Sequence, residues 1–256
     1  MVIESKISRS SLDPFDDQLR NAILTNLGFV ADLEKLETIV MVQNVAPVAV
    51  NQKIVFKDTH FNVSKLIGKG AYGRVYKVKL AEKDITFAVK KEMPPNLWEL
   101  YILLELQKRI PEHLMSAFMT PEYAIVGNNA TLIFASFSPY GTLLDVVNNV
   151  FNRTGKNVDE TVVFILAFQM LVIIEQLHRG DILHLDLKPD NFLVMKKLTK
   201  DSDDCILQLI DFGNAVDLRR FPSKQKFNGT VETDKFKCSE MKEGRPWVYQ
   251  PDLYCL

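Results

Sequence analysis

The sequence predicts an α+β fold of two lobes, a small antiparallel β lobe that carries one helix and a second lobe that is mainly α-helical. Two observations predict this fold. From residue 61 the chain alternates apolar and polar residues between glycines and charged turns, which is the period of half-buried strands. Past Tyr140-Gly141 the apolar residues recur at helical spacing instead. No internal repeat or low-complexity segment interrupts either pattern.

Residues 1–60 form a predicted extension with one short amphipathic helix. Asp13-Pro14 is typical of a helix N-cap followed by proline at the first helical position. Apolar residues then follow every four positions up to Gly28, namely Phe15, Leu19, Ile23 and Leu27. This apolar stripe favours packing on the following domain, with a partner protein as the alternative. Residues 29–57 show no clear period, so we expect an extended arm on the domain surface.

The predicted β lobe covers residues 61–139. The runs FNVSKLIGKG, VYKVKL and ITFAVKKE predict three antiparallel strands. A helix is expected from about Asn96 to Ile110, ended by Pro111, and two further strands flank the turn residues at 127–129. Five strands and one helix therefore make up this lobe.

The predicted α-helical lobe covers residues 140–256. A helix is expected from Leu143 to Val150 and a longer one from about Asp159 to His178. Short strands are expected around 192–195 and 206–210, and the acidic cluster Asp201 to Asp204 is interpreted as a solvated hairpin tip.

Composition excludes several classes of protein. The 31 basic and 32 acidic residues give a net charge of -1, so no overall field attracts nucleic acid or anionic membrane, and we expect neither as a partner. Three widely spaced cysteines form neither a disulfide framework nor a zinc pattern, which favours a reducing intracellular compartment. No secretory signal opens the chain. The apolar run Val162 to Ile174 is shorter than a membrane span and predicts a buried helix.

A glycine-rich loop and a lysine form the first candidate site. Gly68 to Val75 fits G-x-G-x-x-G-x-V, and a strand follows it, whereas a dinucleotide-binding loop needs a helix there. A strand-loop-strand lid over phosphates is therefore the better interpretation. On a strand shortly after the loop, alternation places Ala88 and Lys90 on one face, as a phosphate-facing cation requires.

The most specific motif is HLDLKPDN at residues 184–191, followed by Asp211-Phe212-Gly213 after an intervening hairpin. This arrangement resembles the catalytic and metal-binding loops of a protein kinase. The resemblance implies a two-lobed protein kinase-like fold, and it implies ATP and Mg²⁺ as the nucleotide and the metal.

The kinase resemblance also implies a role for each matching residue. Asp186 would orient and deprotonate the substrate hydroxyl, and Lys188 would neutralise the transferring phosphoryl group. Asn191 and Asp211 would hold magnesium between the phosphates. Lys188 stands two residues after the aspartate, which resembles serine/threonine kinases more than tyrosine kinases.

The same resemblance assigns the nucleotide pocket. Backbone amides of the glycine loop would cover the phosphates, and its residues are Gly68, Lys69, Gly70, Ala71 and Gly73. Val75 and Ala88 would pack on the adenine, while residues 137–141, beginning with Phe137 and Ser138, would form the hinge. Lys90 needs a helical glutamate beside it, and both Glu99 and Glu105 are candidates.

Several longer motifs resemble the mitotic checkpoint kinases of the Bub (budding uninhibited by benzimidazoles) family. They are NLWELY, SPYGTLLDVV, IIEQLH, HLDLKPDNFLV, the run from 227 to 249, and DPFDDQL in the N-terminal extension. In that family the glutamate that follows the tryptophan of this motif faces the nucleotide-binding lysine. The resemblance therefore favours Glu99 over Glu105 as the partner of Lys90.

The Bub resemblance implies a serine/threonine kinase of spindle-assembly checkpoint signalling. Its partners would be checkpoint and kinetochore proteins and chromatin-associated protein substrates. Its location would be the nucleus and cytoplasm, with kinetochores and chromosomes in mitosis.

Two departures from the kinase pattern limit these expectations. Leu185 replaces an arginine, so no cation stands there to pair with an activation-loop phosphate, and we expect the segment from Gly213 to Glu240 to be ordered by its own packing. Asp252 resembles the aspartate that begins the central helix of the second lobe, and only four residues follow it. We therefore expect an incomplete second lobe with a partly exposed Val162 to Ile174 helix, weak activity and aggregation. A catalytically silent checkpoint scaffold is the alternative function.

Overall fold

The computed structural model describes residues 12–70, 73–198, 205–231 and 236–256. It confirms the two-lobed α+β fold, with a strand-rich first lobe and a mainly helical second lobe. The predicted tip at Asp201 to Asp204 lies outside the described residues.

The N-terminal extension contains more regular structure than the sequence pattern predicts. Its elements are α1 (Asp17–Asn26), α2 (Phe29–Leu33), β1 (Ile39–Met41) and β2 (Lys53–Phe56). The N-cap of α1 is Asp16, whose carboxylate accepts the backbone amides of Gln18 and Leu19. The prediction of Asp13 as N-cap is therefore wrong, because the Asp13 carboxylate instead accepts the amide of Phe15 in the preceding turn.

A seven-stranded sheet forms the first lobe. Its remaining strands are β3 (Thr59–Lys69), β4 (Gly73–Leu80), β5 (Thr86–Glu92), β6 (Tyr123–Val126) and β7 (Thr131–Ser136). The spatial order is β1-β6-β7-β5-β4-β3-β2. The extension thus supplies both outer strands, β1 parallel to β6 and β2 antiparallel to β3. The prediction of five strands and an extended arm is corrected accordingly.

Helix α3 (Leu97–Arg109) packs between the sheet and the second lobe. The Asn96 side chain caps it by accepting the Glu99 amide, and Pro111 follows its C-terminal end. The opposite side of the sheet is filled by a separate apolar cluster that includes Phe61, Val89 and Phe134, and residues of the extension cover this cluster. Apolar residues therefore pack on both faces of the sheet, and burial is most complete at β6 and β7.

The second lobe contains two long helices, α4 (Leu143–Thr154) and α5 (Glu160–Arg179). A capping box between Thr142 and Asp145 begins α4, and Gly155 ends it with a φ of 65°. Short strands β8 (Ile182–Leu183), β9 (Phe192–Val194), β10 (Leu207–Leu209) and β11 (Val216–Asp217) follow, and then the short helices α6 (Ser239–Lys242) and α7 (Gln250–Tyr254). The pairs β9-β10 and β8-β11 fix the loops that carry the candidate site.

Helix α5 is only partly covered. Leu166, Ile173, Ile174 and Leu177 are its buried residues, whereas Phe164 is 69% exposed and Phe168 is 67% exposed. The prediction of a buried helix at 162–174 is therefore wrong, because most of its apolar residues are not buried by other parts of the described chain. The exposure agrees with the expectation of a partly exposed helix in an incomplete lobe. By length and hydropathy α5 alone among the described helices could cross a membrane, but core helices of water-soluble proteins share these properties.

The segment after Gly213 is held by contacts from distant parts of the chain. Phe227 forms bridges with both Leu12 and Trp247, and the Trp247 indole donates to the Gly229 carbonyl at 2.8 Å. A side chain at Gly229 would collide with Phe15, so the close approach of the extension requires glycine there. These contacts fix the described part of the segment up to residue 231 against the extension and Trp247.

Candidate active site

Lys90 is the centre of the first half of the site. Its ammonium lies 2.7 Å from Glu99 Oε2, 2.8 Å from Asp211 Oδ1 and 3.1 Å from Glu92 Oε1. The strand β5, the helix α3 and the Asp-Phe-Gly turn thus meet at one nitrogen. Glu105, the other candidate glutamate, lies away from this site and pairs with Lys108 and Arg109.

One ammonium cannot neutralise three carboxylates, and the charge balance changes their protonation. Burial raises the pKa of Glu99 to about 8; Glu92 and Asp211 also raise it, and Lys90 opposes the rise. Burial alone would lower the pKa of Lys90, but the three carboxylates outweigh it and raise that pKa well above its ordinary value. Lys90 therefore stays charged, and the raised pKa of Glu99 favours its protonated form more than in an exposed glutamate.

The second half of the site is the loop after β8. Asp186 Oδ2 accepts Lys188 Nζ at 2.7 Å and Asn191 Nδ2 at 3.0 Å. Asn191 Nδ2 also donates to the Asp186 carbonyl at 2.8 Å. Asp186 Oδ1 is buried and has no hydrogen-bond partner among the described residues. The carboxylate is thus fixed through one oxygen, and the other has an unused capacity to accept a hydrogen bond.

Asp252 supports this loop from α7. Its buried carboxylate accepts the amides of His184 at 2.9 Å and Leu185 at 2.7 Å, and it lies 2.9 Å from His178 Nε2. Leu185 has a φ of 66°, a left-handed conformation that costs energy for a non-glycine residue. The Asp252 contact holds this strained turn, and the turn aims Asp186 at the cleft.

The Asp-Phe-Gly turn is anchored by the extension and by α3. Asp211 itself has a φ of 66° and directs its carboxylate to Lys90. Arg20 of α1 donates to the Gly213 carbonyl at 3.0 Å, and the Trp98 indole donates to the Ala215 carbonyl at 2.7 Å. The Arg20 guanidinium also lies over the Trp98 ring, 5.3 Å from its centroid. Sequence reasoning missed these anchors.

A buried ionic cluster then joins α3 to β11. The Asp217 carboxylate accepts both terminal nitrogens of Arg109 at 2.7 Å and the Tyr101 hydroxyl at 2.5 Å. Burial alone would raise the pKa of Asp217, but the hydrogen bonds from Arg109 and Tyr101 outweigh it and lower that pKa. The i,i+4 spacing of Tyr101, Glu105 and Arg109 was the only signal of this cluster in the sequence.

The predicted glycine loop joins the end of β3 to the start of β4. Gly68 and Lys69 end β3, Gly70 donates its amide to the Gly73 carbonyl at 2.9 Å, and Ala71 lies outside the described residues. A side chain at Gly73 would lie 3.1 Å from the Lys91 carbonyl, so glycine is needed for this close approach.

The structure also describes the residues that were predicted to pack on the adenine and to form the hinge. Val75 is paired with Lys90, and Ala88 with Lys77, whose ammonium lies 4.4 Å from the Phe137 ring centroid. The Ser138 hydroxyl donates to the Val194 carbonyl at 2.7 Å and accepts the Gly141 amide at 3.0 Å. The Ser138 side chain therefore links the predicted hinge to β9 through hydrogen bonds. Only the backbone of Ser138 is left to contact a nucleotide.

Comparison with known proteins places these features in a family. The family described as protein kinase domain matches residues 61–254. The crystal structure of the BubR1 kinase domain superposes with a TM-score of 0.91 at 43% identity, covering 95% of this chain and 73% of that one.

Curated relatives carry mitotic checkpoint names. The mitotic checkpoint serine/threonine-protein kinase BUB1 of Mus musculus is 33% identical over 75% of this chain and 19% of its own length. That of Arabidopsis thaliana is 31% identical over 80% of this chain and 41% of its own, and bub-1 of Caenorhabditis elegans is 28% identical over 97% and 25%. The chain thus spans between about a fifth and two fifths of the length of these relatives.

Proposed function

Because the chain belongs to the protein kinase domain family, in its Bub1 and BubR1 branch, we propose that it transfers the γ-phosphate of ATP to serine and threonine hydroxyls of proteins. The recognised family resemblance supports the hydroxyl class, since Lys188 stands two residues after Asp186. The geometry of the two loops supports the reaction.

The observation that carries this proposal is the Asp186 carboxylate. Lys188 and Asn191 hold one of its oxygens, and the other is unpartnered within the described part of the chain. A fixed acceptor of this kind can orient a substrate hydroxyl and take its proton as the phosphoryl group is transferred. Lys188 lies beside it and brings a positive charge to the transferring group.

The phosphates and the metal would be held by the other residues of the cleft. Lys90 presents its ammonium to the nucleotide, and Glu99 fixes the position of that ammonium. Asp211 and Asn191 offer oxygen ligands, because the Asn191 amide nitrogen is already used by Asp186. The described residues contain no cluster of three metal-binding side chains, which suits Mg²⁺ because it is commonly held by one or two carboxylates together with phosphates. When bound, magnesium supplies neutralisation of the phosphate charge.

The cellular setting is part of the proposal. The names of the relatives support a role in the spindle-assembly checkpoint. From the family resemblance we propose checkpoint and kinetochore proteins as partners and chromatin-associated proteins as substrates. We place the protein in the nucleus and cytoplasm, and at kinetochores in mitosis. Imaging of the tagged protein in mitotic cells tests this, and a uniform distribution throughout mitosis would contradict it.

A three-protein assay tests the activity. The wild type, Asp186→Asn and the control Asp84→Asn are compared, because Asp84 is 91% exposed on a distant turn. We expect Mg²⁺-dependent ATP binding by thermal shift in all three, and phosphate transfer to serine and threonine of a generic basic protein. Asp186→Asn should lower the transfer rate about 10²–10⁴-fold, and Asp84→Asn should leave it unchanged. ATP binding by the wild type without transfer would favour the scaffold function instead.

A further inference from the structure

Three cations stand in one row on the outer side of the sheet, opposite the cleft. The strand registers pair Lys69 with Arg74 and Arg74 with Lys91 across β3, β4 and β5. Side chains alternate along a strand, so Lys91 faces away from the side on which Lys90 meets its carboxylates. Like charges placed directly opposite one another on adjacent strands repel. Sheet formation therefore does not explain why three cations lie side by side here.

No acidic group of the described chain neutralises this row. The side chains of Lys69, Arg74 and Lys91 have no ion-pair or hydrogen-bond partner among the described residues. By contrast, Lys79 on the same strand β4 pairs with Asp84 at 2.8 Å. Partial burial, followed by the charge of Arg74, lowers the pKa of Lys91, as expected for cations held together without an anion.

The row borders a cavity of about 300 Å³. Lys69, Arg74 and Lys91 line its charged side. The other lining residues are Val48, Tyr76 and Met93 together with Gly70 and Gly73 of the glycine loop. The Tyr76 hydroxyl is already used by the Val48 carbonyl, while Met93 is 53% exposed. The cavity thus combines three cations that lack side-chain partners with an apolar wall, in which Met93 is exposed, Val48 is half-buried and Tyr76 is buried. It is larger than one inorganic anion needs.

We propose that this cavity binds a phosphorylated side chain within a protein segment. A phosphate group carries a charge of about -1.5 to -2 at pH 7, which balances most of the row, and an arginine can bind it through two nitrogens. The apolar wall beside the cations fits an apolar residue next to the phosphorylated one. The cavity shares Lys69, Gly70 and Gly73 with the glycine loop that is proposed to cover the ATP phosphates, so the test measures ATP binding separately.

The test uses a fluorescein-labelled pentapeptide, Gly-Leu-phosphoSer-Leu-Gly, and its unphosphorylated form. Binding to the complete chain is measured by fluorescence anisotropy for the wild type, for Arg74→Gln with Lys91→Gln, and for the control Lys53→Gln with Lys65→Gln. The control removes the same charge from exposed positions of β2 and β3. We expect binding of the phosphopeptide only, weakened about tenfold or more by the Arg74 and Lys91 pair and unchanged in the control.

Three outcomes would overturn the proposal. They are equal binding of both peptides, equal loss of affinity in the control, or displacement by inorganic phosphate at the same concentration as phosphopeptide, which would indicate a site for the free anion.

Thermal unfolding checks that the variants are folded. The double variant Arg74→Gln with Lys91→Gln should have a higher midpoint temperature of unfolding than the wild type in the absence of peptide, because the substitutions remove charge repulsion. A lower midpoint temperature would contradict repulsion between the three cations. Retained ATP binding in this variant separates the result from a failure of the cleft.

Discussion

The two lobes bury their helices to different extents. In the first lobe, α3 has seven buried residues out of thirteen, and the sheet beside it is covered by the extension. In the second lobe, α5 has four buried residues out of twenty, although its sequence is the more apolar of the two. Apolar composition alone therefore does not determine burial, because a buried face requires a matching partner.

The exposed side of α5 is continuous with a shallow apolar cavity. Leu171, Ile174 and Leu253 contribute to its lining beside Tyr249. Contiguous apolar surface of this kind marks a place where further protein packs, or where copies of the chain adhere to one another. The first lobe, which is covered on both sides, offers the reference against which this surface can be measured.

The largest expected difference comes from one substitution made in both lobes. Phe61 is fully buried among the aromatic rings of the sheet, and Phe168 is 67% exposed on α5. Phe61→Ala should lower the free energy of unfolding by about 3–5 kcal/mol, because it leaves a cavity. Phe168→Ala should change it by less than about 0.5 kcal/mol.

Urea denaturation of the two variants and the wild type measures this difference. The lobes would not differ as described if Phe168→Ala destabilised the protein as much as Phe61→Ala does. That result would show that α5 is covered in solution.

The sequence predicted the long elements of both lobes and the short strands β9 and β10, but it missed the short elements of the extension. The bounds of α3 and α5 were close, because their apolar periods are long and Asn96, Pro111 and Asp159 mark their ends. The strands β1 and β2 have only three and four residues, and pairing with distant strands defines them. Ile39, for example, pairs with Ala124, which no local pattern can show.

The candidate site likewise contains residues that the sequence identified and residues that it did not. Lys90, Asp186, Asn191 and Asp211 lie within motifs, so sequence alone could group them. The anchors of α3 could not be predicted. Arg109 and Asp217 are 108 residues apart, and neither lies in a recognisable motif.

Asp217 is the next test, because its cluster joins the two lobes. Asp217→Asn leaves the Arg109 guanidinium, 4% exposed, without its main anionic partner. We expect the free energy of unfolding to fall by about 3 kcal/mol, since removing one partner of a buried ion pair strands the other charge. The control Asp181→Asn breaks the exposed pair with Arg219 and should cost at most about 1 kcal/mol. Equal losses in urea denaturation would show that burial of the cluster adds nothing.

The pH dependence of the same variant gives a smaller, graded effect. The pKa of Asp217 is lower in the folded protein than in the unfolded chain, so its stabilising contribution is complete above the unfolded value of about 3.9. As the pH falls through the folded pKa, this contribution is lost. The difference in stability between the wild type and Asp217→Asn should thus be constant near neutrality and shrink below about pH 4. A difference that grew on acidification would contradict the lowered pKa.

The smallest effect on stability should accompany a clear effect on association. Replacing Phe164 and Phe168 by lysine removes two exposed rings from α5, so the free energy of unfolding should stay within about 0.5 kcal/mol. Self-association measured by analytical ultracentrifugation should fall, because the apolar surface is interrupted by charge. The control, Thr161→Lys with Ala167→Lys, adds the same charge to exposed positions of α5 and keeps both rings. If it reduced self-association equally, net charge rather than the apolar face would be the cause.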